Sequence, residues 1–202
     1  MLKLYGHPLS GNAYKVKLLL AFLGLDYANI DVALEQGAHQ QPEFLALNPF
    51  AQVPVLVDGN TVLADAQAIL VYLARQYGND DADSWLPLAP LPMAKVMRWL
   101  STTAGEVRHG PEFARLYHLF GITTIDSEQT AKKSAFILDQ LNQHLTPRDW
   151  LACDRLTIAD VATFPYIALA RDGQVPLDEY PQVLSWIERI KQQPGFVGMP
   201  GI

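Results

Sequence analysis

Cysteine is almost absent from the sequence, and long apolar runs are missing altogether. The single cysteine, Cys153, excludes an intrachain disulfide and a cysteine-rich metal site. No apolar run approaches the roughly 18 residues needed to cross a membrane, and Lys15 and Lys17 interrupt the best candidate. The chain enters a strand-like run at residue 2 with no cationic and then apolar leader. We therefore expect no signal peptide, no membrane partner and a cytoplasmic location.

Basic residues are also in the minority. Lys and Arg number 15 against 21 Asp and Glu, which gives a formal charge of −6 and a pI near 5.3. Nucleic-acid binding needs clustered Lys and Arg, so we expect no nucleic-acid partner. No spacing typical of metal ligands is found among the histidines His7, His109, His118 and His144. We therefore expect no metal.

The first 78 residues alternate between strand and helix patterns. A helix follows Ser10, a suitable N-cap residue, and a β-hairpin is indicated where Asp58-Gly59 separates two apolar runs. Strands are predicted over 2–5, 27–32, 55–57 and 61–63, and helices after residue 12, over 42–47 and from residue 65. This order predicts a parallel βαβ unit joined to an antiparallel hairpin, with helices covering the sheet.

The remainder of the chain has only helical patterns. Composition becomes polar and acidic after Gly78 and then rich in proline, so we predict a linker over 79–89 between a first domain over 1–78 and an all-helical domain over 90–202. Helices are predicted over 93–119, 128–145 and 181–190. Thr157 and Asp160 have the spacing of a capping box for a further helix.

Several short motifs occur in one order along the chain. They are Ser10-Gly11-Asn12 with Lys15-Val16, Asn48-Pro49, Val53-Pro54-Val55-Leu56, Asp65 with Ile69 and Tyr72-Leu73, and Thr157-Ile158-Ala159-Asp160. In this order they resemble the cytosolic glutathione transferase family over essentially the whole chain. The resemblance implies an α/β thioredoxin-like N-terminal domain followed by an all-α C-terminal helical domain. It also implies a homodimeric detoxification enzyme that conjugates glutathione, as co-substrate and without a cofactor, to small and mostly apolar electrophiles.

Within that resemblance, the thiolate site is of the serine/asparagine kind of bacterial-type members. A free cysteine thiol has a pKa of about 8.5, which a hydroxyl or amide donor beside a helix N-terminus lowers. Ser10 and Asn12 are the candidate donors, although Ser10 could instead only cap its helix. Tyr5 is a rival donor, which we expect rather to pack against its neighbours. Because position 10 is not cysteine, a mixed-disulfide mechanism through that position is excluded.

The resemblance also assigns residues to glutathione itself. Backbone groups of Val53, whose bond to Pro54 we expect to be cis, pair with the cysteinyl part, and Gln52 lies near the glycine end. Asp65 and the N–H of Ala66 hold the γ-glutamyl end. Family members usually have Ser or Thr where this chain has Ala66, so one hydroxyl donor is absent. Two further residues, Lys15 and His39, could reach the glycine carboxylate. Each could instead be a solvated surface residue.

The electrophile pocket is expected along the predicted helix over 93–119. Its candidate residues are Leu9, Arg108, Phe113 and Tyr117, although an aromatic stripe at helical spacing is also typical of a core. The resemblance places the dimer interface on the helices that begin near Asp65 and Met93. A non-catalytic family member that binds a partner or regulates, and a glutathione-dependent isomerase or peroxidase, stay open as alternatives.

Overall fold

The computed structural model describes residues 1–78 and 85–202. The strands of the first part are β1 (Leu2–Gly6), β2 (Tyr27–Asp31), β3 (Val55–Asp58) and β4 (Thr61–Ala64). They form a sheet of order β2-β1-β3-β4, in which β1 is parallel to β2 and antiparallel to β3, and β4 is antiparallel to β3. The predicted βαβ unit with an added hairpin is therefore confirmed.

Three helices accompany this sheet. They are α1 (Gly11–Phe22), α2 (Pro42–Leu45) and α3 (Ala66–Tyr77), and short 3₁₀ turns over Leu34–Gln36 and Ala38–Gln40 precede α2. Helix α1 carries apolar residues on all sides, and its residues Leu18, Leu19 and Leu20 are fully buried. A helix with this pattern is stable only when it is covered from several directions. Both α3 and a helix of the second part contact it.

The hairpin between β3 and β4 is attached to helix α3 through Asp58. The Asp58 carboxylate accepts hydrogen bonds from the hydroxyls of Tyr77 and Tyr72, and these bonds lower the pKa of Asp58. Gly59 has a φ of 56°, which glycine adopts without steric cost. The Val53–Pro54 bond in the loop before β3 is cis, as predicted.

The second part contains only helices among its described residues. They are α4 (Pro90–Thr102), α5 (Phe113–Phe120), α6 (Ser127–Leu145), α7 (Ile158–Ala168) and α8 (Pro181–Lys191). None of the helices in residues 1–78 and 85–202 is both long and apolar enough to span a bilayer. Of the predicted linker, residues 79–84 lie outside the described residues. Its described end packs on the first part, because Trp85 stacks on Phe22 with ring centroids 5.8 Å apart.

The prediction of one continuous helix over 93–119 is wrong. The stretch Thr103–Glu112 is π-helical, and the backbone leaves the helical region at Gly110, with φ −104° and ψ −105°. Pro111 lacks an N–H and cannot continue a regular helical hydrogen-bond ladder. A Cβ on Gly110 would also lie 3.0 Å from the backbone nitrogen of Ser134 in α6, so glycine allows the two backbones to approach closely.

Several buried hydrogen bonds meet at the start of α7. The Thr157 side chain accepts from the backbone N–H of Asp160 and the Asp160 carboxylate accepts from the N–H of Thr157, as the predicted capping box requires, and the Thr157 side chain also accepts from the N–H of Ala159. Asp160 also accepts from the backbone N–H of Leu151 and from the indole N–H of Trp186. Burial raises the pKa of Asp160 to about 6, and these hydrogen bonds act against that rise. One carboxylate thus joins three separate segments.

Removal of the Asp160 carboxylate should strongly destabilise the fold. The substitution Asp160→Ala would leave the buried donors of Thr157, Leu151 and Trp186 without an acceptor, at an expected cost of about 3 kcal/mol in the free energy of unfolding. Urea unfolding measures this difference. The matched control is Asp178→Ala, which breaks an exposed pair with Arg171 and should change stability by less than about 1 kcal/mol. Equal losses in the two variants would contradict the role given to Asp160.

Candidate active site

Two adjoining clefts lie where the first part of the chain meets the second. The first cleft has a volume of about 360 Å³ and is lined by the loop before β3 and the start of α3, with Gln52, Val53, Pro54, Asp65 and Ala66 among its residues. The second cleft has a volume of about 540 Å³ and includes Leu9, Ser10, Leu116, Phe120 and Ile122. The residues that line both clefts are Asn12, Gln52, Val53, Arg108 and Glu112. The two clefts therefore form one continuous groove.

The first cleft ends at a helix N-terminus that Asp65 shapes. Asp65 has a φ of 74°, which is uncommon outside glycine, and its side chain accepts from the N–H of Ala68 at 2.9 Å. The next residue, Ala66, begins α3 and is buried in the cleft wall. The first N–H groups of a helix have no partner within the helix and favour an anion. This end of the cleft can therefore hold a carboxylate and an ammonium group side by side.

Ser10 caps helix α1 and also lies in the second cleft. Its Oγ accepts from the N–H of Ala13 at 3.2 Å. A hydroxyl has one proton to donate and two lone pairs. The cap uses a lone pair and leaves the proton, so capping and donation to a sulfur are compatible.

The loop that carries Ser10 is held from both sides. The Nδ1 atom of His7 accepts from the N–H of Leu9 at 3.2 Å, and the carbonyl of His7 accepts from the N–H of Ser10 at 2.9 Å. From the second part, the buried Arg115 donates to the carbonyl of Leu9 at 2.8 Å and pairs with Asp172 at 2.9 Å. The position of the Ser10 hydroxyl therefore depends on contacts from helix α5.

Asn12 lies at the centre of a polar cluster, hereafter the Asn12 cluster, formed by Asn12, Lys15, Glu112 and Tyr166. The Asn12 amide donates to Glu112 Oε1 at 3.2 Å and accepts from Lys15 Nζ at 2.7 Å. The Tyr166 hydroxyl acts to lower the pKa of the Glu112 carboxyl, and the backbone N–H of Asn12 acts to lower the pKa of Tyr166. Lys15 Nζ lies 5.1 Å from the centroid of the Tyr166 ring. Asn12 and Lys15 come from α1, whereas Glu112 and Tyr166 come from the helical part.

The alternative that Lys15 is a solvated surface residue is wrong, whereas its contact with the glycine carboxylate stays a prediction. The residue is only 1% exposed and points into the Asn12 cluster, away from the lining of either cleft among the described residues. A lysine at this position of an apolar helix would ordinarily extend to solvent. The carboxylate of Glu112 and the acceptor on Asn12, both of which face Lys15 only in the folded chain, explain the difference.

Burial dominates the electrostatics of the Asn12 cluster. It lowers the pKa of Lys15 to about 8, although Glu112 and Asp65 act against the fall. It raises the pKa of Glu112, although Lys15, Arg108 and the hydrogen bonds from Asn12 and Tyr166 act against the rise. The opposite charges compensate each other in a site where either alone would be costly.

Only part of the predicted set of residues lines the second cleft. Leu9 and Arg108 lie in its wall, but Phe113 and Tyr117 are absent from its described lining and Leu116, Phe120 and Ile122 are present. Phe113 instead packs against His109, with ring centroids 5.0 Å apart. The break at Gly110 changes the face that α5 turns toward the cleft. The Gly110-Pro111 pair is the sequence signal that could have shown this.

The structure also gives the positions of two other predicted site residues, Tyr5 and His39. Tyr5 packs edge-to-face on Phe44, with centroids 6.5 Å apart, and it is absent from the described lining of both clefts. His39 lies in the wall of the second cleft, beside Ala51 and Gln52. Sequence reasoning missed Glu112 and Tyr166, because no local motif marks residues whose partners come from another part of the chain. Within residues 1–78 and 85–202, no group of three or more His, Cys, Asp or Glu side chains is placed to hold a metal ion.

Comparisons with known proteins agree with this architecture. Family models for the N-terminal and C-terminal domains of glutathione S-transferase match residues 1–75 and 114–194. The chain is 37% identical to glutathione S-transferase 3 from Zea mays, over 96% of this chain and 91% of the relative. It is 35% identical to glutathione S-transferase 2 from Anopheles gambiae, over 86% and 78% of the two chains. It matches the crystal structure of a possible glutathione S-transferase from Rhodopseudomonas palustris with a TM-score of 0.89 and 32% identity, over 98% and 90% of the two chains.

The chain therefore belongs to the glutathione S-transferase family. The predicted fold class, a thioredoxin-like N-terminal domain followed by an all-helical domain, is confirmed. The protein is an enzyme that conjugates glutathione, and neither a non-catalytic member nor an isomerase or peroxidase is favoured.

The close contact between Gly11 and Tyr166 gives a test of the Asn12 cluster. A Cβ on Gly11 would lie 2.8 Å from Tyr166 Cζ, so Gly11→Ala must displace the buried ring of Tyr166, which belongs to the Asn12 cluster. We expect a loss of about 1–3 kcal/mol in unfolding free energy and weaker glutathione binding. Urea unfolding and calorimetric titration measure the two effects.

Gly105→Ala is the matched control, because a Cβ there meets nothing within 4 Å. Helix propensity alone favours alanine over glycine by about 1 kcal/mol. We therefore expect the control to leave stability unchanged or slightly increased. A Gly11→Ala protein as stable as the control would show that the ring of Tyr166 is not held in place.

Proposed function

We propose that the first cleft binds glutathione, that the second cleft binds a small apolar electrophile, and that the glutathione thiolate attacks where the clefts meet. The observation that carries this proposal is the shared wall. Ser10 lines the second cleft and Asn12 lines both, so two candidate thiolate donors lie beside the junction. Reacting atoms must approach within about 3–3.5 Å, which a continuous groove permits.

In this arrangement, glutathione lies along the loop before β3. The γ-glutamyl ammonium pairs with the exposed carboxylate of Asp65, and its carboxylate accepts from the N–H of Ala66 at the start of α3. The backbone of Val53 pairs with the cysteinyl part in an extended, strand-like manner. The glycine end crosses the junction toward Gln52, which lines both clefts, and His39, which lines the second.

Calorimetric titration with glutathione tests the first cleft. We expect a Kd between about 1 μM and 1 mM, or about −8 to −4 kcal/mol. Cysteinylglycine, which lacks the γ-glutamyl group and hence the contacts to Asp65 and Ala66, should bind at least about tenfold more weakly, since about 1.4 kcal/mol is tenfold. Equal affinities for the two peptides would contradict the placement, and no heat at several millimolar glutathione would contradict binding itself.

Thiolate formation is assigned to Ser10 and Asn12, which is the serine/asparagine kind of site. The Ser10 hydroxyl keeps its proton for the sulfur while it caps α1, and the N-terminus of that helix favours the anion. The Asn12 amide has a second N–H beyond the one given to Glu112. Two donors to one sulfur lower its pKa by favouring the charged form.

Ser10→Ala should raise the pKa of the bound thiol and slow conjugation. A hydrogen bond to a charged group contributes about 1.5–3 kcal/mol, which is roughly one to two decades in thiolate formation. Ultraviolet titration of bound glutathione and kcat/KM against a model electrophile measure the effect. Ser10→Thr, which keeps the hydroxyl, and Ser185→Ala, on the exposed face of α8, are the controls. If Ser10→Ala changes neither quantity, Ser10 is only a helix cap.

The second cleft suits an apolar electrophile with one polar end. Leu9, Leu116, Phe120 and Ile122 provide apolar surface on the wall. Arg108 lines the wall that both clefts share. A cation there can stabilise the negative charge that passes from the thiolate to an electrophile during addition. The cysteine-poor sequence is also compatible with the reducing cytoplasm, where we place a detoxification role.

The protein is further proposed to form a homodimer through α3 and α4. An open groove between these helices includes Val71 and Met97, and Met97 is 43% exposed. Leu100 also lines this groove but is buried in the core of its own chain. A two-fold interface would bring the same groove of two copies together.

If the dimer forms through this groove, a charged substitution at Met97 should weaken it. We expect light scattering to give a dimer mass at micromolar concentration, and Met97→Glu to shift the protein toward monomer, because a buried carboxylate in an apolar interface is costly. Phe136→Glu is the matched control, since Phe136 is 56% exposed on α6 and should leave the mass unchanged. A monomer in the unsubstituted protein would exclude the interface.

A further inference from the structure

We propose that Lys15 is a positioning residue for catalysis, which orients the side-chain amide of Asn12 so that one N–H faces the glutathione sulfur. The inference rests on the proposed function of the groove and deepens it. Lys15 Nζ donates to Asn12 Oδ1 at 2.7 Å, and Asn12 Nδ2 donates to Glu112 Oε1 at 3.2 Å. Hydrogen bonds therefore fix both the oxygen and the nitrogen of the Asn12 amide, within the wall that the two clefts share.

The chemistry of the two partners permits only one orientation of the amide. A lysine ammonium has donors and no acceptor, and an ionised glutamate has acceptors and no donor. The oxygen of Asn12 must therefore face Lys15, and the nitrogen must face Glu112. The nitrogen carries two protons, of which Glu112 takes one. The remaining N–H is the group that Asn12 can direct into the groove.

Compensation of the buried Glu112 charge accounts for a cation at position 15, but it does not account for the hydrogen bond that Lys15 Nζ donates to the oxygen of Asn12. Lys15 is 1% exposed, and the neutral, similarly shaped methionine would fill the same space without donating that hydrogen bond. The charged or titratable groups that face Lys15 are Glu112 and Arg108, Asp65 at the start of α3, and Tyr166 of α7.

The hydrogen bond that Lys15 donates and the charge that it carries predict different results when Asn12 is absent. If Lys15 orients the Asn12 amide, its effect on the thiol requires Asn12. If Lys15 instead stabilises the thiolate by its charge alone, its effect persists when Asn12 is absent. A double-mutant cycle separates the two, because residues that act through one another are not additive.

The cycle uses Lys15→Met, Asn12→Ala and the double variant, with Lys17→Met as the matched control on the same helix. The readouts are the pKa of the bound glutathione thiol by ultraviolet titration, kcat and KM for glutathione, affinity for S-methylglutathione and the melting temperature. We expect Lys15→Met to raise the thiol pKa by about 0.5–1 unit, a three- to tenfold loss of thiolate at neutral pH. The same substitution in the Asn12→Ala background should have no further effect.

Other outcomes have defined meanings. S-methylglutathione, which has no thiol, should bind Lys15→Met within about threefold of the unsubstituted protein, because Lys15 is absent from the described lining of both clefts. A changed melting temperature with an unchanged thiol pKa would show a structural role only and overturn the proposal. Additive effects in the double variant would also overturn it, in favour of direct charge.

Failure of this inference and failure of the proposed function are separable. If the unsubstituted protein binds neither glutathione nor S-methylglutathione, the proposed function fails. If it binds both and Lys15→Met leaves the thiol unchanged, only the inference fails. Should Lys15→Met not fold, Lys15→Gln serves in the same cycle, because glutamine keeps an N–H donor and removes the charge. The Lys15→Gln variant should then keep part of the lowering of the thiol pKa that Lys15 produces.

Discussion

The hydrogen-bonded contact between Lys15, Asn12 and Glu112 is the constraint on which the site depends. Two opposite charges are buried there, and an amide between them satisfies both. Neither charge could remain buried without the other, because an uncompensated buried ion is far more costly than the pair. Since Lys15 and Asn12 belong to α1 and Glu112 belongs to the helical part, this requirement ties the two parts of the chain together beside Ser10.

Steric exclusion gives that contact its geometry. Gly11 leaves room for the Tyr166 ring to lie against the start of α1, with Lys15 Nζ 5.1 Å from the ring centroid. Gly110 likewise lets the backbone of the π-helical stretch approach α6 at Ser134. Both glycines are needed for close approach rather than for an unusual φ. Together they place Glu112 under the groove and turn α5 so that Leu116 and Phe120 face it.

The two parts of the chain contribute different surfaces to the groove, which is compatible with the two ligands proposed for it. The first part supplies the polar, backbone-rich surface of the loop before β3 and the start of α3, which suits a peptide with charged ends. The helical part supplies apolar side chains from α5 and the residues that follow it, together with Arg108. The first surface depends on backbone geometry, whereas the second consists of side chains that can vary without a change of fold.

The sequence by itself determined the features that arise from neighbouring residues. Turn residues at Asp58-Gly59, the cap at Ser10, the capping box of Thr157 and Asp160, and the alternation of strands and helices all act over a few positions, so local patterns predict them. The tertiary structure alone decided that Lys15 is buried and that Glu112 and Tyr166 join Asn12. Those outcomes depend on partners about a hundred residues away in the chain, and a side chain is stable in a buried charged site only when such partners are already in place.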